Sequence, residues 1–326
     1  MARYLGIDTS NYTTSVAVAE GGRVLVSLKA PLKVAEGVTG LRQSDAVFAH
    51  TANLPDLLDR LKKEDGVKGY TAVGVSARPR DAKGSYMPCF TVGIAAAKAF
   101  SAALDIPVYD FSHQAGHISA AVYSSARGED TLLGRDRFIA FHVSGGTTEM
   151  LLASGRDMSV ELIGGTSDLN AGQAIDRAGV MLGLRFPCGP AMERLALDYL
   201  SSLRPGQKPH AKPKISVSGL SCNLSGLENI AARMKAEGEP DGRIALYVID
   251  FIADTLDAMT QNAVERYPSL PLLYAGGVMS NSVIRERFMK KYADRGVYFA
   301  QPEFSSDNAA GVALLAERKH EAEYGC

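Results

Sequence analysis

Two histidines four residues apart, His113 and His117, open the segment HQAGHISAAVYSSA, which has helical periodicity. Residues four apart on a helix share one face, about one turn apart, so the two imidazoles could share a metal ion. The zinc-protease pattern HExxH is excluded because Gln114 follows the first histidine. The best-placed third ligand is Asp307 in SSDNAAG, at the start of a predicted helix. Helix capping for Asp307, and capping or surface positions for the histidines, are the alternatives.

Two glycine pairs form a second candidate group. Gly145-Gly146 lies in a predicted strand-turn-strand, and Gly276-Gly277 lies between a predicted strand and a helix. Bare backbone N–H groups at such turns can approach phosphates closely, and a helix dipole favours the anion. Either pair alone could merely permit a tight turn. Neither GxxxxGK[ST] nor GxGxxG occurs, so P-loop and dinucleotide-fold interpretations lose their main support.

Two acids and a basic run complete the candidates. Asp8 ends the first predicted strand, where a carboxylate can hold a metal-bound water or orient a phosphate. Asp176 lies inside a predicted helix, where a surface ion pair with Arg177 is the alternative. A predicted loop carries four basic residues, Lys208, His210, Lys212 and Lys214. Such a run is typical of a solvated loop, and it could also contact a nucleic-acid backbone.

The predicted elements that hold these residues occur in two similar sets. The opening RYLGIDTSNYTTSVAVAE is a buried strand, a polar turn ending in Thr-Thr and a second strand, and RFIAFHVSGGTTEMLLAS repeats this layout from Arg137. Such a repeat indicates two related α/β domains around one cleft. Helical periodicity covers 45–61, where Pro55 should kink or divide the helix. Two further long helices are predicted over 220–235 and 242–267.

The composition fits a two-domain globular protein. The chain has 326 residues, 46% hydrophobic and 22% charged, with a net charge of -1, so nucleic acid would have to bind a local patch. The four cysteines form no CxxC pair, which excludes a zinc ribbon and favours a reducing compartment. No apolar stretch is long enough to cross a membrane, so we expect a cytoplasmic protein without membrane contact.

Several segments together resemble a known family. GIDTS, VSGGTTEM, NAGQAIDRAGVMLGLRFPCGP, SVSGL, AGGVMSN and SSDNAAG keep the order of the tRNA threonylcarbamoyladenosine (t6A) transferase family, also called TsaD or Gcp and once described as O-sialoglycoprotein endopeptidases. The resemblance implies the duplicated actin-like/Hsp70-like ATPase (ASKHA) fold, an α/β fold with two domains around a nucleotide cleft. Domain I would comprise 1–133 plus 305–326, and domain II 134–304.

The resemblance also implies functional residues. His113, His117 and Asp307 would hold one divalent metal ion, iron or zinc, and Asp8, His113 and His117 would be the catalytic residues. Nucleotide contacts would come from a set in domain II: Ser144, Gly145, Gly146, Thr147, Gly276 and Gly277, with Asp176 and Gly189 toward the ribose and Asn281 toward the base.

The implied bound nucleotide is an adenine nucleotide, threonylcarbamoyl-AMP or ATP. The implied reaction transfers a threonylcarbamoyl group from threonylcarbamoyl-AMP to N6 of adenosine 37 in tRNAs that read ANN codons. Partners would be tRNA, a shorter paralogue of the same fold and a small P-loop ATPase.

Departures from the family pattern fall around the transferred group. HxEGH is HQAGH here, with Ala115 in place of the acid, and VSGGHT is VSGGTT, with Thr147 in place of a histidine. Two acids near the first strand have become Tyr12 and Thr13, whereas His50 keeps its family position. These changes indicate a divergent member. A regulatory or scaffold subunit that binds nucleotide without catalysis is the alternative, and a small-molecule kinase is a third hypothesis.

Overall fold

The computed structural model describes residues 2–10, 12–32, 41–65, 69–126, 131–304 and 308–325. It divides the chain into two compact units. Unit 1 consists of Met1–Leu133, Arg156–Val160 and Glu303–Cys326, and unit 2 consists of Gly134–Gly155 and Glu161–Pro302.

The strands and helices of the described residues follow in chain order. The strands are β1 (Arg3–Ser10), β2 (Thr13–Glu20), β3 (Arg23–Pro31), β4 (Tyr70–Arg78), β5 (Val108–Ser112), β6 (Phe138–Val143), β7 (Thr148–Ala153), β8 (Val160–Thr166), β9 (Ser216–Ser218), β10 (Ser221–Asn223), β11 (Leu272–Ala275) and β12 (Val297–Phe299). The helices are α1 (Gln43–Asp65), α2 (Phe90–Leu104), α3 (His113–Ser125), α4 (Ala171–Met181), α5 (Gly189–Ser202), α6 (Gly226–Ala236), α7 (Asp241–Arg266), α8 (Ser282–Lys291) and α9 (Ala309–Tyr324).

The sheet of unit 1 has the order β3-β2-β1-β4-β5 and is covered on both faces. Alternate residues of a strand point to opposite faces. On one face Ile7 packs with Leu57 of α1 and with Ala97 of α2. On the other face alanines of β2 pack against Ala309 and its neighbours in α9. Strand β1 is therefore central, and nearly all of it is buried.

The sheet of unit 2 has the order β12-β11-β6-β7-β8-β10-β9. Its run β8-β7-β6-β11-β12 repeats the order of the first sheet. In both units the first two strands pair antiparallel, and the first strand then pairs parallel with a strand far along the chain. The repeat predicted from the two similar hairpins is thus confirmed as a duplicated sheet.

Helix α7 lies at the centre of the unit 2 core, where Ile244 and Val248 pack with Phe141 of β6 and Met192 of α5. Among the helices that the structure describes, none is long and apolar enough to cross a membrane.

Two sequence predictions about helices need correction. Pro55 lies inside α1 and does not divide it, because Leu54, Leu57 and Leu61 are buried along the helix and their packing outweighs one missing hydrogen bond. The helix predicted over 220–235 begins only at Gly226. The residues before it form β10, which pairs with both β8 and β9.

Candidate active site

The predicted metal and catalytic residues of unit 1 meet where three strands end. Strand β1 pairs parallel with β4, and β4 pairs parallel with β5. The carboxyl ends of these strands therefore lie at one edge of the sheet. Asp8 lies near the end of β1, Ser76 near the end of β4, and His113 begins α3 directly after β5. The topology brings their side chains together.

The two imidazoles of α3 converge on one point. Nε2 of His113 and Nε2 of His117 are 3.0 Å apart, and the rings meet edge to face with centroids 4.3 Å apart. Nδ1 of His113 lies 2.9 Å from Oδ2 of Asp8. A carboxylate at Nδ1 favours the tautomer in which Nδ1 carries the proton and Nε2 presents its lone pair. This is the orientation that a metal-binding histidine needs.

Asp8 is held by donors on both carboxylate oxygens. Oδ1 accepts the backbone N–H of Ser10 at 2.7 Å, and Oδ2 accepts the hydroxyl of Ser76 at 3.0 Å and the side-chain amide of Asn308. Only 1% of Asp8 is exposed. Burial raises its pKa, but the adjoining imidazole of His113 and the hydrogen bonds from Ser10 and Asn308 lower it more, so the net pKa lies below the ordinary value. Asp8 is therefore a buried, ionised carboxylate.

The imidazoles of His113 and His117 can supply two of the ligands of a metal ion. Among the described residues, no group of three or more His, Cys, Asp or Glu side chains is arranged to hold a metal. The predicted third ligand, Asp307, lies outside the described residues. The residue after it, Asn308, is buried, and its amide nitrogen lies 2.8 Å from Nδ1 of His113. The start of α9 thus reaches the histidine pair.

Sequence reasoning missed three members of this cluster: Ser76, Asn308 and Ser10, whose hydroxyl lies 2.9 Å from Nδ1 of His113. The amide of Asn308 donates to the hydroxyl of Ser76 at 3.1 Å, and both contact Asp8. Asn308 follows Asp307 directly in SSDNAAG, which was a usable signal. Ser76 had none, because only strand order shows that β4 lies beside β1.

A further histidine lies behind β2. His50 of α1 is fully buried, and its Nδ1 lies 2.9 Å from Oγ1 of Thr14. Within the described part of the chain, its Nε2 has no hydrogen-bond partner. Burial lowers the pKa of His50, although the charge of Asp8 opposes the shift. His50 is therefore a neutral imidazole that supports β2.

The predicted glycine-rich turn of unit 2 rests on the start of a helix. Ser144 and Thr147 close the turn between β6 and β7, with the N–H of Ser144 donating to the carbonyl of Thr147 at 2.7 Å. The N–H of Gly172, in the first turn of α4, donates to the carbonyl of Ser144 at 3.1 Å. A Cβ at Gly172 would lie 2.6 Å from the backbone nitrogen of Gly145. The turn is therefore held directly against the start of α4, whose Ala171 and Gly172 N–H groups are already bonded within the protein.

The second glycine pair lies at the end of β11, beside β6. Gly276 has a φ of 97°, and a Cβ there would lie 2.3 Å from the carbonyl oxygen of Val143. Gly277 has open space around it. Asn281 caps α8, and its Oδ1 accepts the N–H of Ile284 at 3.2 Å. Its side-chain amide nitrogen remains available as a donor.

Asp176 and Gly189 are brought together by the turn before α5. Oδ1 of Asp176 accepts the N–H of Cys188 at 2.7 Å, and Gly189 is the next residue. Burial raises the pKa of Asp176 more than this hydrogen bond lowers it. Arg177 donates to Glu228 at 2.9 Å. The second oxygen of Asp176 can therefore serve a ligand.

The basic run of unit 2 divides into two kinds of residue. Nε2 of His210 lies 2.9 Å from Oδ2 of Asp250 in α7. Burial lowers the pKa of His210, but the hydrogen bonds to Asp250 and to the carbonyl of Ala211 raise it more. His210 thus fixes the loop to α7. The three lysines, Lys208, Lys212 and Lys214, are exposed.

The described site residues are divided between the two units. Asp8, His113 and His117 are in direct contact in unit 1. The predicted nucleotide residues all lie in unit 2.

Comparison with known sequences points to one family. The family model described as "TsaD: tRNA N6-adenosine threonylcarbamoyltransferase" matches residues 33–314. Proteins of that name from two strains of Thermus thermophilus are each 32% identical over 322 residues. The alignment covers 97% of this chain and 93% and 92% of the two relatives.

Comparison with solved structures shows the fold. Full-length HypF has a TM-score of 0.61 at 12% identity, covering 98% of this chain and 56% of that protein. The activator of 2-hydroxyisocaproyl-CoA dehydratase from Clostridium difficile has a TM-score of 0.53 at 14% identity, covering 98% and 97%. The ROK hexokinase from Thermus thermophilus has a TM-score of 0.50 at 16% identity, covering 98% and 99%. The chain has the actin-like ATPase (ASKHA) fold, as predicted.

Proposed function

The chain belongs to the tRNA N6-adenosine threonylcarbamoyltransferase family, and from that premise we propose that it transfers a threonylcarbamoyl group from threonylcarbamoyl-AMP to N6 of adenosine 37 in ANN-decoding tRNA. The N6 nitrogen attacks the carbamoyl carbon, and a C–N bond forms. The bond from that carbon to the phosphate oxygen breaks, AMP leaves, and N6 loses one proton. The convergence of His113 and His117, with Asp8 behind His113, is the observation that carries the proposal.

One divalent ion, iron or zinc, would be held by Nε2 of His113 and of His117, with Asp307 as the third ligand. When bound, the ion supplies positive charge that polarises the carbonyl group of the substrate. Asp8 keeps the proton on Nδ1 of His113 and so keeps Nε2 directed at the ion. In this role Asp8 is a positioning residue and does not contact the substrate.

The nucleotide would be held by unit 2. Backbone N–H groups of Gly145 and Gly146 would bind the phosphate, since bare glycines allow close approach. The second oxygen of Asp176, next to Gly189, would accept a ribose hydroxyl. The amide nitrogen of Asn281 would donate to the adenine.

Partners follow from the same proposal. The three exposed lysines of the loop would contact the phosphate backbone of tRNA: Lys208, Lys212 and Lys214. His210 is held by Asp250 and would support the loop. A shorter paralogue of the same fold and a small P-loop ATPase would complete the assembly, in the cytoplasm.

A scaffold subunit without catalysis is the second candidate. It is favoured by the missing acids, since Ala115 is buried and Tyr12 is 49% exposed where the family pattern has carboxylates. Thr147, in place of a histidine, lies in the turn that would meet the phosphate.

A transfer assay separates the two functions. Protein loaded with iron or zinc is incubated with threonylcarbamoyl-AMP and unmodified ANN-decoding tRNA, with and without the partner subunits, and the digested tRNA is analysed by mass spectrometry. We expect modified adenosine from the wild type and from Asp105→Asn, a variant of an exposed residue of unit 1 outside the proposed site, and none from His113→Ala. Nucleotide and metal binding without product from any of these proteins would refute transfer and favour the scaffold.

A further inference from the structure

We propose that unit 1 contains a second binding site, for a small organic anion, in a cavity behind the first turn of α3. The cavity has a volume of about 510 Å³, within the usual range for small-molecule sites. Its wall includes Ser112 and Ala115 of the α3 start and Leu315 of α9. Asp8, His113, His117 and the proposed nucleotide residues are not part of this wall. The inference therefore does not rest on the proposed transfer reaction.

The charges of the wall favour an anion. Four basic side chains line it, namely Arg78, Arg156, Arg318 and Lys319, against three acidic ones, namely Asp81, Asp110 and Asp157. The excess is one positive charge, so a ligand with one negative head would balance the wall.

One pair of these charges is already matched. Arg78 donates twice to Oδ1 of Asp81, at 2.9 and 2.6 Å. The other oxygen of Asp81 accepts the hydroxyl of Ser112 at 2.8 Å. Both oxygens of Asp81 are therefore occupied, and Arg78 is held in this ion pair. A ligand would instead meet the two basic residues of α9 in the wall, Arg318 and Lys319.

Arg318 is the strongest of these groups because it is only partly exposed. Its Nη2 donates to the carbonyl oxygen of Arg156 at 2.8 Å, and the carboxylates of Asp157 and Glu321 act on its charge. A guanidinium group in a partly desolvated position attracts an anion more strongly than one in open water. Lys319, the next residue on α9, is exposed at the same wall.

Ala115 makes both the room and the charge excess possible. It lines the cavity, 4% exposed, at the position where the family pattern HxEGH has an acid. A glutamate at this position would add a carboxylate to the wall and would cancel the excess positive charge. The exchange of acid for alanine thus leaves a cavity that accepts an external anion.

The apolar residues of the wall indicate what kind of ligand would fill the cavity. Phe111, Met158 and Leu315 contribute apolar surface. A bare inorganic ion would leave this surface uncovered, whereas an aromatic or aliphatic body would bury it. The site is therefore suited to a small molecule with an apolar body and one carboxylate or phosphate head.

Titration with simple probes tests the proposal. Phenyl phosphate, benzoate and inorganic phosphate are titrated into the full chain by calorimetry, and the methyl resonance of Met158 is followed by NMR. We expect saturable binding of phenyl phosphate or benzoate with a shift of the Met158 resonance, and the stronger of the two identifies the head group. Inorganic phosphate should bind more weakly than either.

Variants locate the binding. Ala115→Glu should weaken it at least about tenfold, and Lys319→Gln about fivefold, the factor for roughly 1 kcal/mol. Lys98→Gln, a variant of an exposed lysine of α2 outside the cavity wall, is the matched control and should bind like the wild type. Lys319→Gln carries the test if Ala115→Glu does not fold. The proposal is overturned by an absence of saturable binding, by a Met158 resonance that does not move, or by equal binding in Lys319→Gln and wild type.

Discussion

Replacing Asp8 by asparagine tests whether this carboxylate orients the metal-binding histidine. The side chain keeps its shape, but one oxygen becomes an NH₂ donor. At Oδ2 the new amide would face Nδ1–H of His113, the hydroxyl of Ser76 and the amide of Asn308, all donors; at Oδ1 it would face the N–H of Ser10. Either orientation leaves at least one buried donor without an acceptor.

Two magnitudes follow from this arrangement. Loss of a hydrogen-bond partner behind a metal ligand typically lowers metal affinity about 10- to 100-fold, which corresponds to roughly 1.4 to 2.8 kcal/mol. A buried donor left unsatisfied costs about 1 to 3 kcal/mol of unfolding free energy. We therefore expect Asp8→Asn to bind Zn²⁺ and Co²⁺ at least tenfold more weakly and to unfold at a lower urea concentration.

The assay is competition with a chromophoric chelator, together with the visible spectrum of the Co²⁺ form, which reports ligand geometry. Asp105→Asn is the matched control, because Asp105 is exposed and its left-handed conformation suits asparagine. A folded Asp8→Asn protein whose Zn²⁺ affinity stays within twofold of the wild type would refute the reasoning, since Asp8 would then not act through His113.

Three further predictions concern unit 2. Gly276→Ala should destabilise unit 2 by at least about 2 kcal/mol in urea unfolding, because Gly276 has a positive φ and its Cβ would collide with the backbone of Val143. Gly277 has open space around it, so Gly277→Ala should fold normally but bind AMP more weakly in calorimetry. The pKa of His210 is raised on folding from its ordinary value of 6.5. Protonated His210 therefore stabilises the fold fully below pH 6.5, and this contribution is lost as the pH rises through the pKa of the folded state. The urea midpoint of the wild type should fall between about pH 6 and 9, and that of His210→Gln should fall less. Burial raises the pKa of Asp168, but hydrogen bonds from Leu224 and Ser225, the residues before α6, lower it more, to about 2. Asp168→Ala should cost about 1 kcal/mol in urea at pH 7, and a variant as stable as the wild type would contradict a stabilising role for these hydrogen bonds.

The fold was predictable because its signals are local or repeated. The hairpin of RYLGIDTSNYTTSVAVAE and its copy from Arg137 indicated the duplication before any strand order was known. Pro55 does not divide α1, because the packing of the helix outweighs a local rule. The start of α6 was misplaced for a similar reason, since β10 forms only by pairing with other strands, one of them distant in sequence.

The candidate site likewise has one part that the sequence predicted and another that depends on the tertiary structure. The spacing of His113 and His117 determined by itself that the two imidazoles share a face of one helix, and the ordered motifs determined the family. Only the tertiary structure decided what lies behind them. Parallel pairing of β1, β4 and β5 brings Asp8 to Ser76, which is 68 residues away along the chain, and to His113, which is 105 residues away. Such contacts depend on strand order, which no local pattern of residues encodes.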